Sequence, residues 1–294
     1  MQKKRVLFIV NPASGPGDNS TEKFTAQVAA YVDSNIIDYQ ITITQNEQHA
    51  SELSRIAVEQ KTDIVVAVGG DGTINEVASG LIGSDTALGI IPAGSGNGLA
   101  HHLKIPFNVP KAISLINKGR LLQIDTISVN DKPFLSIAGI GFDALVADKF
   151  AGNTTRGLMT YLKIVLSEYL SYQPHEYEVS IDGNTNVYKA LMMIFANSDQ
   201  FGYNTSIAPE ASIDDGLMDV CIVKKIPLYS IPFVFLLLVI HKIHWTSFVH
   251  IIKAHDVVVH TSDELIVNID GEPVTMNGPL KISLIPHSLK VVIP

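Results

Sequence analysis

The sequence predicts an α/β domain followed by a β-rich, sandwich-like domain, and three observations lead there. Over roughly the first 125 residues, short apolar runs alternate with stretches of helical period. Those runs are continuously apolar rather than alternating, the mark of strands covered on both faces of a parallel sheet flanked by helices. From about residue 124 the rhythm changes to strand after strand, separated by Asp-Gly, Asn-Gly and Pro turns, as in an antiparallel sandwich. The expected domains are therefore 1–124 and 125–294.

In the first domain, strands are expected at 6–10, 36–43, 64–68 and 87–91, with helices at 21–32, 49–59 and 74–81. A parallel sheet of this kind presents ligands at the C-terminal ends of its strands. In the second, strands are expected at 124–129, 134–140, 177–181, 187–196, 217–223, 256–260, 265–269, 280–285 and 289–293. Helices are expected at 156–169 and through 228–252. No low-complexity linker and no internal repeat separates the halves, so a cleft between them is the default binding site.

Composition bounds the function. With 294 residues, 46% hydrophobic and only 17% charged, the chain can bury substantial cores, which excludes disorder. A net charge of −8 excludes a broad basic field for nucleic acid. Cys221 is the sole cysteine and cannot form an internal disulfide; the N-terminus runs into a strand without a signal-peptide plan, so the cytoplasm is the expected compartment. The longest apolar run, 231–240, contains Pro232 and falls short of the roughly 20 residues a spanning helix needs, so no transmembrane span is expected. An apolar surplus nevertheless collects at 157–172 and 226–252, and part of it is expected to face a lipid groove or a bilayer surface.

Three glycine-bearing turns follow strands of the first domain: Asn11-Pro12-Ala13-Ser14-Gly15, then Gly69-Gly70-Asp71-Gly72-Thr73-Ile74-Asn75, then Pro92-Ala93-Gly94-Ser95-Gly96-Asn97. Glycine lets backbone N–H groups approach a ligand closely, and the helices that follow aim positive dipole ends at the same place. One such turn could merely end a strand; three in consecutive strand-to-helix positions make a phosphate cradle. No G-x-x-x-x-G-K-[ST] occurs, and no G-x-G-x-x-G opens the first turn, so neither a Walker loop nor a dinucleotide fingerprint is present.

The Gly69–Thr73 segment is a signature shared by diacylglycerol kinase-type lipid kinases, NAD kinases and, more loosely, phosphofructokinases. With the first and third turns, Thr44 and His49-Ala50, the run from Ala208 to Leu217 and Ile269-Asp270-Gly271-Glu272, the chain resembles the soluble diacylglycerol kinase family, related to sphingosine and ceramide kinases. The Gly-Ser-Thr-Ala-Tyr segment of NAD kinases and the Thr-Ile-Asp-Asn-Asp segment of phosphofructokinases are both missing. The resemblance implies an NAD kinase/phosphofructokinase-like first domain and an ATP- and Mg2+-dependent lipid kinase. It implies that Asn11, Pro12, Ala13, Ser14, Gly15, Thr44, Gly69, Gly70, Asp71, Gly72, Thr73, Ile74, Asn75 and Ser95 line the nucleotide. It implies Glu272 as proton acceptor, Asp270 near the nucleotide or metal, and a structural Mg2+ held by the Asp215 side chain with the carbonyls of Ser212 and Leu217. Asp71 is expected to meet a metal or an attacking hydroxyl.

The expected acceptor is a hydroxyl of a diacylglycerol-like lipid at the membrane surface, reached peripherally, with a homodimer left open. The alternatives are a kinase of the same fold acting on a sphingoid base, ceramide, phosphatidylglycerol or an isoprenoid alcohol, and a nucleotide-binding regulatory protein without transfer activity. The pair His101-His102 points apart on a helix, Cys221 reads as a small core hydrophobe, and Trp245 with its neighbouring histidines reads as decoration of an amphipathic helix or, with Lys242 and Lys253, as residues that favour a membrane interface.

Overall fold

The computed structural model describes the chain except for residues 1–2, 14–19, 95, 154–156 and 203–204. It divides into two compact units, one of residues 1–124 with 287–294, the other of residues 125–286.

The first unit opens with β1 (Lys4–Val10), α1 (Ser20–Tyr31), β2 (Ile37–Ile43), α2 (His49–Glu59), β3 (Ile64–Gly69), α3 (Asp71–Ser79), β4 (Ala87–Pro92), α4 (Gly98–His102) and α5 (Val109–Lys118). The strands run parallel in the order β2-β1-β3-β4. β3 and β4 are buried at every residue, as their unbroken apolar runs require. Helix α5 was not expected; Asn108 caps it by accepting from the Lys111 N–H at 3.1 Å, with Pro110 in its first turn.

The second unit continues with β5 (Arg120–Val129), β6 (Lys132–Phe134), β7 (Ile137–Gly141), α6 (Phe142–Ala151), α7 (Leu158–Tyr169), β8 (His175–Ile181), β9 (Asn184–Ala190), β10 (Met192–Ala196), β11 (Gln200–Gly202), β12 (Thr205–Ser206), β13 (Met218–Val223), α8 (Ile231–Val239), β14 (Val249–Ala254), β15 (Asp256–His260), β16 (Glu264–Ile269), β17 (Glu272–Asn277) and β18 (Leu280–Ile293). It is an antiparallel sandwich. One sheet has the order β14-β13-β10-β7-β16-β17; in the other, β15 lies between β18 and β8, and β8 pairs with β9. Met193, Phe195, Val220 and Ile222 face Val179, Val257, Val259 and Ile282 in the sandwich core. Their neighbours Ile194, Ala196, Cys221 and Val223 point the other way, onto Val234, Leu237 and Ile243. The period of two thus buries both faces of the six-stranded sheet, and α8 covers the outer one.

Three expectations are corrected. The run 187–196 is two strands in different sheets, broken at Leu191, because β9 pairs with β8 and β10 with β7 and β13. The stretch 228–252 is α-helical only over α8, with single 3-10 turns at Leu228–Ser230 and Ile243–Trp245; Val249 and Ile251 alternate with His250 and Ile252 along β14, a strand too short to show its period. Strands 280–285 and 289–293 are one strand, β18, whose first residues belong to the second unit and whose last return to the first, where Val291 pairs in parallel with Leu88. Among the described residues no helix is long and apolar enough to cross a membrane.

Candidate active site

In the first unit, the order β2-β1-β3-β4 reverses direction between β1 and β3, the place where an open parallel sheet forms its ligand crevice. The sequence puts its glycine turns around that point. Reading across the strand ends, Thr44 follows β2, Asn11 follows β1, Gly70 follows β3 and Ala93 follows β4. The ladder continues past the strands: Thr44 N–H donates to the Val10 carbonyl at 2.9 Å, Asn11 N–H to Val68 at 3.0 Å, and Ala93 N–H to Gly69 at 2.8 Å.

Side chains then tie the turns together. Asn11 donates from Nδ2 to Thr73 Oγ1 at 2.9 Å, while its Oδ1 accepts from the Ala13 N–H at 2.9 Å. Asp71 accepts from the N–H of Asn97 at 2.7 Å and of Gly98 at 2.9 Å, one on each carboxylate oxygen. Asn97, which the sequence left without a role, is fully buried in a left-handed conformation and donates to the Gly94 carbonyl at 2.7 Å. The glycines are spatial necessities: a Cβ on Gly94 would sit 2.6 Å from the Gly70 Cα, and one on Gly69 would sit 2.6 Å from the Thr73 Cβ. Helix α3 begins at the crevice with no side-chain cap, so its first-turn N–H groups lack intrahelical acceptors and its positive end faces the turn. Such an arrangement is chemically suited to phosphate groups.

The expected nucleotide residues are not equivalent. Asn11, Thr44, Gly70, Asp71 and Gly72 are half-buried, Pro12 and Ala13 exposed, and Thr73 buried. Ile74 has its side chain in the core and its N–H on the Gly70 carbonyl. Asn75 lies half-buried in α3. Ser14, Gly15 and Ser95 lie outside the described residues.

In the second unit, Asp270 and Gly271 form the hairpin turn between β16 and β17, with φ of 47° and 92° at the two positions, the signature of a tight primed turn. The Asp270 carboxylate accepts three backbone N–H groups, from Leu135 at 2.8 Å, Ser136 at 2.9 Å and Ile137 at 3.0 Å. It anchors the hairpin to the start of β7. Glu272 opens β17 and is exposed. Beneath the turn, Asn268 accepts from the Gly271 N–H at 3.0 Å and donates to Asp143 at 2.8 Å. Burial pushes the Asp143 carboxyl up to about 6, offset in part by the Asn268 hydrogen bond. Asp143 had a legible signal, a carboxylate two residues after Gly139-Ile140-Gly141; a Cβ on Gly139 would lie 2.1 Å from its Oδ2.

The acidic turn 212–217 is engaged differently from the Mg2+ expectation. Asp215 accepts from the Leu217 N–H at 3.1 Å on one oxygen and from Lys253 Nζ at 3.0 Å on the other. Lys253 also lies 3.5 Å from the buried Asp219, whose carboxyl burial pushes up and the ammonium pulls down. Ser212 donates its hydroxyl to Asp214 at 2.8 Å. Asp125, missed although it is a carboxylate inside an apolar strand, is fully buried and accepts from the Gly216 N–H at 2.7 Å. One carboxylate with two carbonyls is hard-cation chemistry. As arranged, the Asp215 carboxylate on which the cation expectation rests is paired with the Lys253 ammonium. Among the described residues no three His, Cys, Asp or Glu side chains gather as a metal site.

The remaining residues behave as their chemistry dictates. His101 stacks on Phe107 with ring centroids 4.3 Å apart. Cys221 is buried, and burial pushes its thiol up and leaves it unreactive.

A parallel sheet with glycine turns gathered at its switch point, in one chain with an antiparallel sandwich, defines the class: a two-part α/β and β-sandwich protein. The family model for the diacylglycerol kinase catalytic domain matches residues 5–129, and that for the YegS C-terminal NAD kinase beta sandwich-like domain matches 136–293. A diacylglycerol kinase of Bacillus subtilis (strain 168) is 31% identical over 276 residues, covering 92% of this chain and 90% of the relative. A protein of Klebsiella pneumoniae (strain 342) named "Probable lipid kinase YegS-like" is 30% identical over 271 residues, covering 88% and 87%. A solved chain from Bacillus anthracis str. Sterne superposes with a TM-score of 0.81 at 26% identity, covering 100% of this chain and 98% of that one. The chain belongs to the diacylglycerol kinase family and is a lipid kinase.

Proposed function

We propose that this lipid kinase transfers the γ-phosphoryl group of ATP to a hydroxyl of a diacylglycerol-like membrane lipid, associating with the membrane peripherally. The observation that carries the reading is the crevice at the β1/β3 switch point, where Asn11–Thr73 and Asp71–Asn97/Gly98 hydrogen bonds hold three glycine turns side by side. Backbone N–H groups and the α3 N-terminus suit the triphosphate, and Thr44, Thr73 and Ser95 offer hydroxyls to it. Phosphoryl transfer asks the protein mainly for positioning and charge stabilisation, plus a base at the acceptor.

Glu272 is the proposed base. Its carboxylate takes the acceptor's O–H proton as that oxygen bonds to the γ-phosphorus; the bond from the γ-phosphorus to the β,γ-bridging oxygen breaks, and ADP leaves. In this reading Asp270 and Asp71 are positioning residues, since each carboxylate accepts from backbone N–H groups: Asp270 holds the hairpin bearing Glu272, and Asp71 holds the third glycine turn. The test is transfer of radiolabelled γ-phosphate into a panel of lipids in mixed micelles. Wild type is expected to label diacylglycerol. Glu272→Gln is expected to lose about 100-fold or more in kcat with nucleotide affinity retained. Tight ATP binding with no labelled lipid from any acceptor would overturn the kinase chemistry in favour of a nucleotide sensor.

A further inference from the structure

Resting on the lipid-kinase reading above, we infer that the outer face of α8 and its two flanking turns form the surface by which this protein docks on an anionic bilayer. Helix α8 is apolar on every side, unlike a helix that ends in water. Val234 and Leu237 point inward and pack on the six-stranded sheet. Phe233, Leu236 and Ile240, spaced three and four apart, form an outward stripe that is 60%, 52% and 48% exposed. Nothing among the described residues covers it. The two ends carry the most exposed aromatic side chains among the described residues, Tyr229 at 86% before the helix and Trp245 at 68% after it. An apolar strip with amphipathic rings at its margins matches the depth profile of a membrane interface, where rings sit at the headgroup level. Nine residues are far too few to cross the bilayer, so the helix lies in the interfacial plane.

Charge names the occupant. The chain carries a net −8, yet from Val220 to His255 it contains no Asp or Glu, while Lys224, Lys225, Lys242 and Lys253 fall there. Lys225 is held by the Tyr172 carbonyl and Lys253 by Asp215, which leaves Lys224 and Lys242 at the surface; the Lys242 ammonium lies 5.4 Å from the Trp245 ring centroid. Acidic groups from elsewhere in the chain meet this stretch at His241, 3.6 Å from Asp199, and at Lys253, which pairs with Asp215 and Asp219. An acid-free apolar patch on an acidic protein complements a negative leaflet and would be an odd choice for binding a second copy of the same acidic chain.

Trp245 is the sole tryptophan, so its emission reports this surface alone. The experiment titrates the full-length protein with phosphatidylcholine vesicles, with and without phosphatidylglycerol, following Trp245 emission, quenching by brominated lipid and co-sedimentation. Wild type is expected to show a blue shift and quenching with the anionic vesicles. The double variant F233S/L236S is expected to lose partitioning by about tenfold or more. K224E/K242E is expected to lose the preference for phosphatidylglycerol. Both variants should retain kcat on a short-chain diacylglycerol presented as monomer, which shows that they fold. Vesicle binding with unchanged Trp245 emission, undiminished binding by F233S/L236S, or a dimer in sedimentation velocity that L236S dissociates would each overturn the inference. Failure to phosphorylate any lipid, with the Trp245 response intact, would sink the proposed chemistry and leave the docking surface standing.

Discussion

Asp71, Asp270 and Asp143 show how carboxylates that look alike in a sequence take different work from their neighbours. Asp71 satisfies two N–H groups at the start of α4. In Asp71→Asn, one of those donors meets an amide NH2 instead of an oxygen, which costs about 1–3 kcal/mol. The expected outcome is a lower Tm and weaker ATP binding by calorimetry; a variant with normal affinity and abolished kcat would instead make Asp71 a catalytic residue. Asp143 makes a pH prediction. Its folded value, about 6, lies above the unfolded one, so the folded protein binds more protons between about pH 4 and 6 and loses stability as pH rises through that window. Asp143→Asn removes the titration. Its stability relative to wild type should therefore improve from pH 4 to pH 7, by something on the order of 3 kcal/mol, in urea melts at the two pH values. A difference that ignores pH would contradict the buried-carboxyl assignment.

At the scale of elements, the close approach of two turns decides more than any helix. Gly94→Ala places a methyl group 2.6 Å from the Gly70 Cα, and backbone cannot move aside as a side-chain tip can. The third turn must shift, and ATP affinity should drop about tenfold or more in a fluorescent-nucleotide titration. Gly152→Ala is the control: Gly152 lies at φ −72° and its added Cβ meets nothing closer than 3.8 Å, so binding and Tm should hold. This scale also separates what could be read from the chain from what could not. The strands at 6–10, 64–68 and 87–91 are plain in the sequence because a doubly covered parallel strand is apolar at every position. The glycine turns were plain for the same local reason, a backbone that needs room. The helix expected through 228–252 gives way to α8 and β14 because the apolar run 231–240 has no period of its own and the six residues of β14 are too few to show one, and the break at Leu191 leaves no mark because pairing partners, not propensity, divide β9 from β10.

For the whole molecule, the chain's end is part of its beginning. Residues 287–294 belong to the first unit, where Leu289, Val291, Val292 and Ile293 are buried and Lys290 pairs with Asp85 at 2.6 Å. Deleting 287–294 should therefore destabilise the first unit although the deletion is remote from most of it in sequence; hydrogen exchange should rise across β4 before it rises across β13. Equal loss of protection in both would argue that the two units do not unfold separately. The sequence by itself determined the class of the two halves, the three turns at the strand ends and the family, since strand periodicity and glycine requirements are local and leave their mark in residue type. Only the tertiary structure decided that Asp71 and Asp270 accept backbone N–H groups, that Lys253 pairs with Asp215, that Asp143 lies buried under the hairpin of Glu272, and that one stripe of α8 faces outward. These depend on which distant segments meet, and that is settled by packing rather than by any residue's own preference.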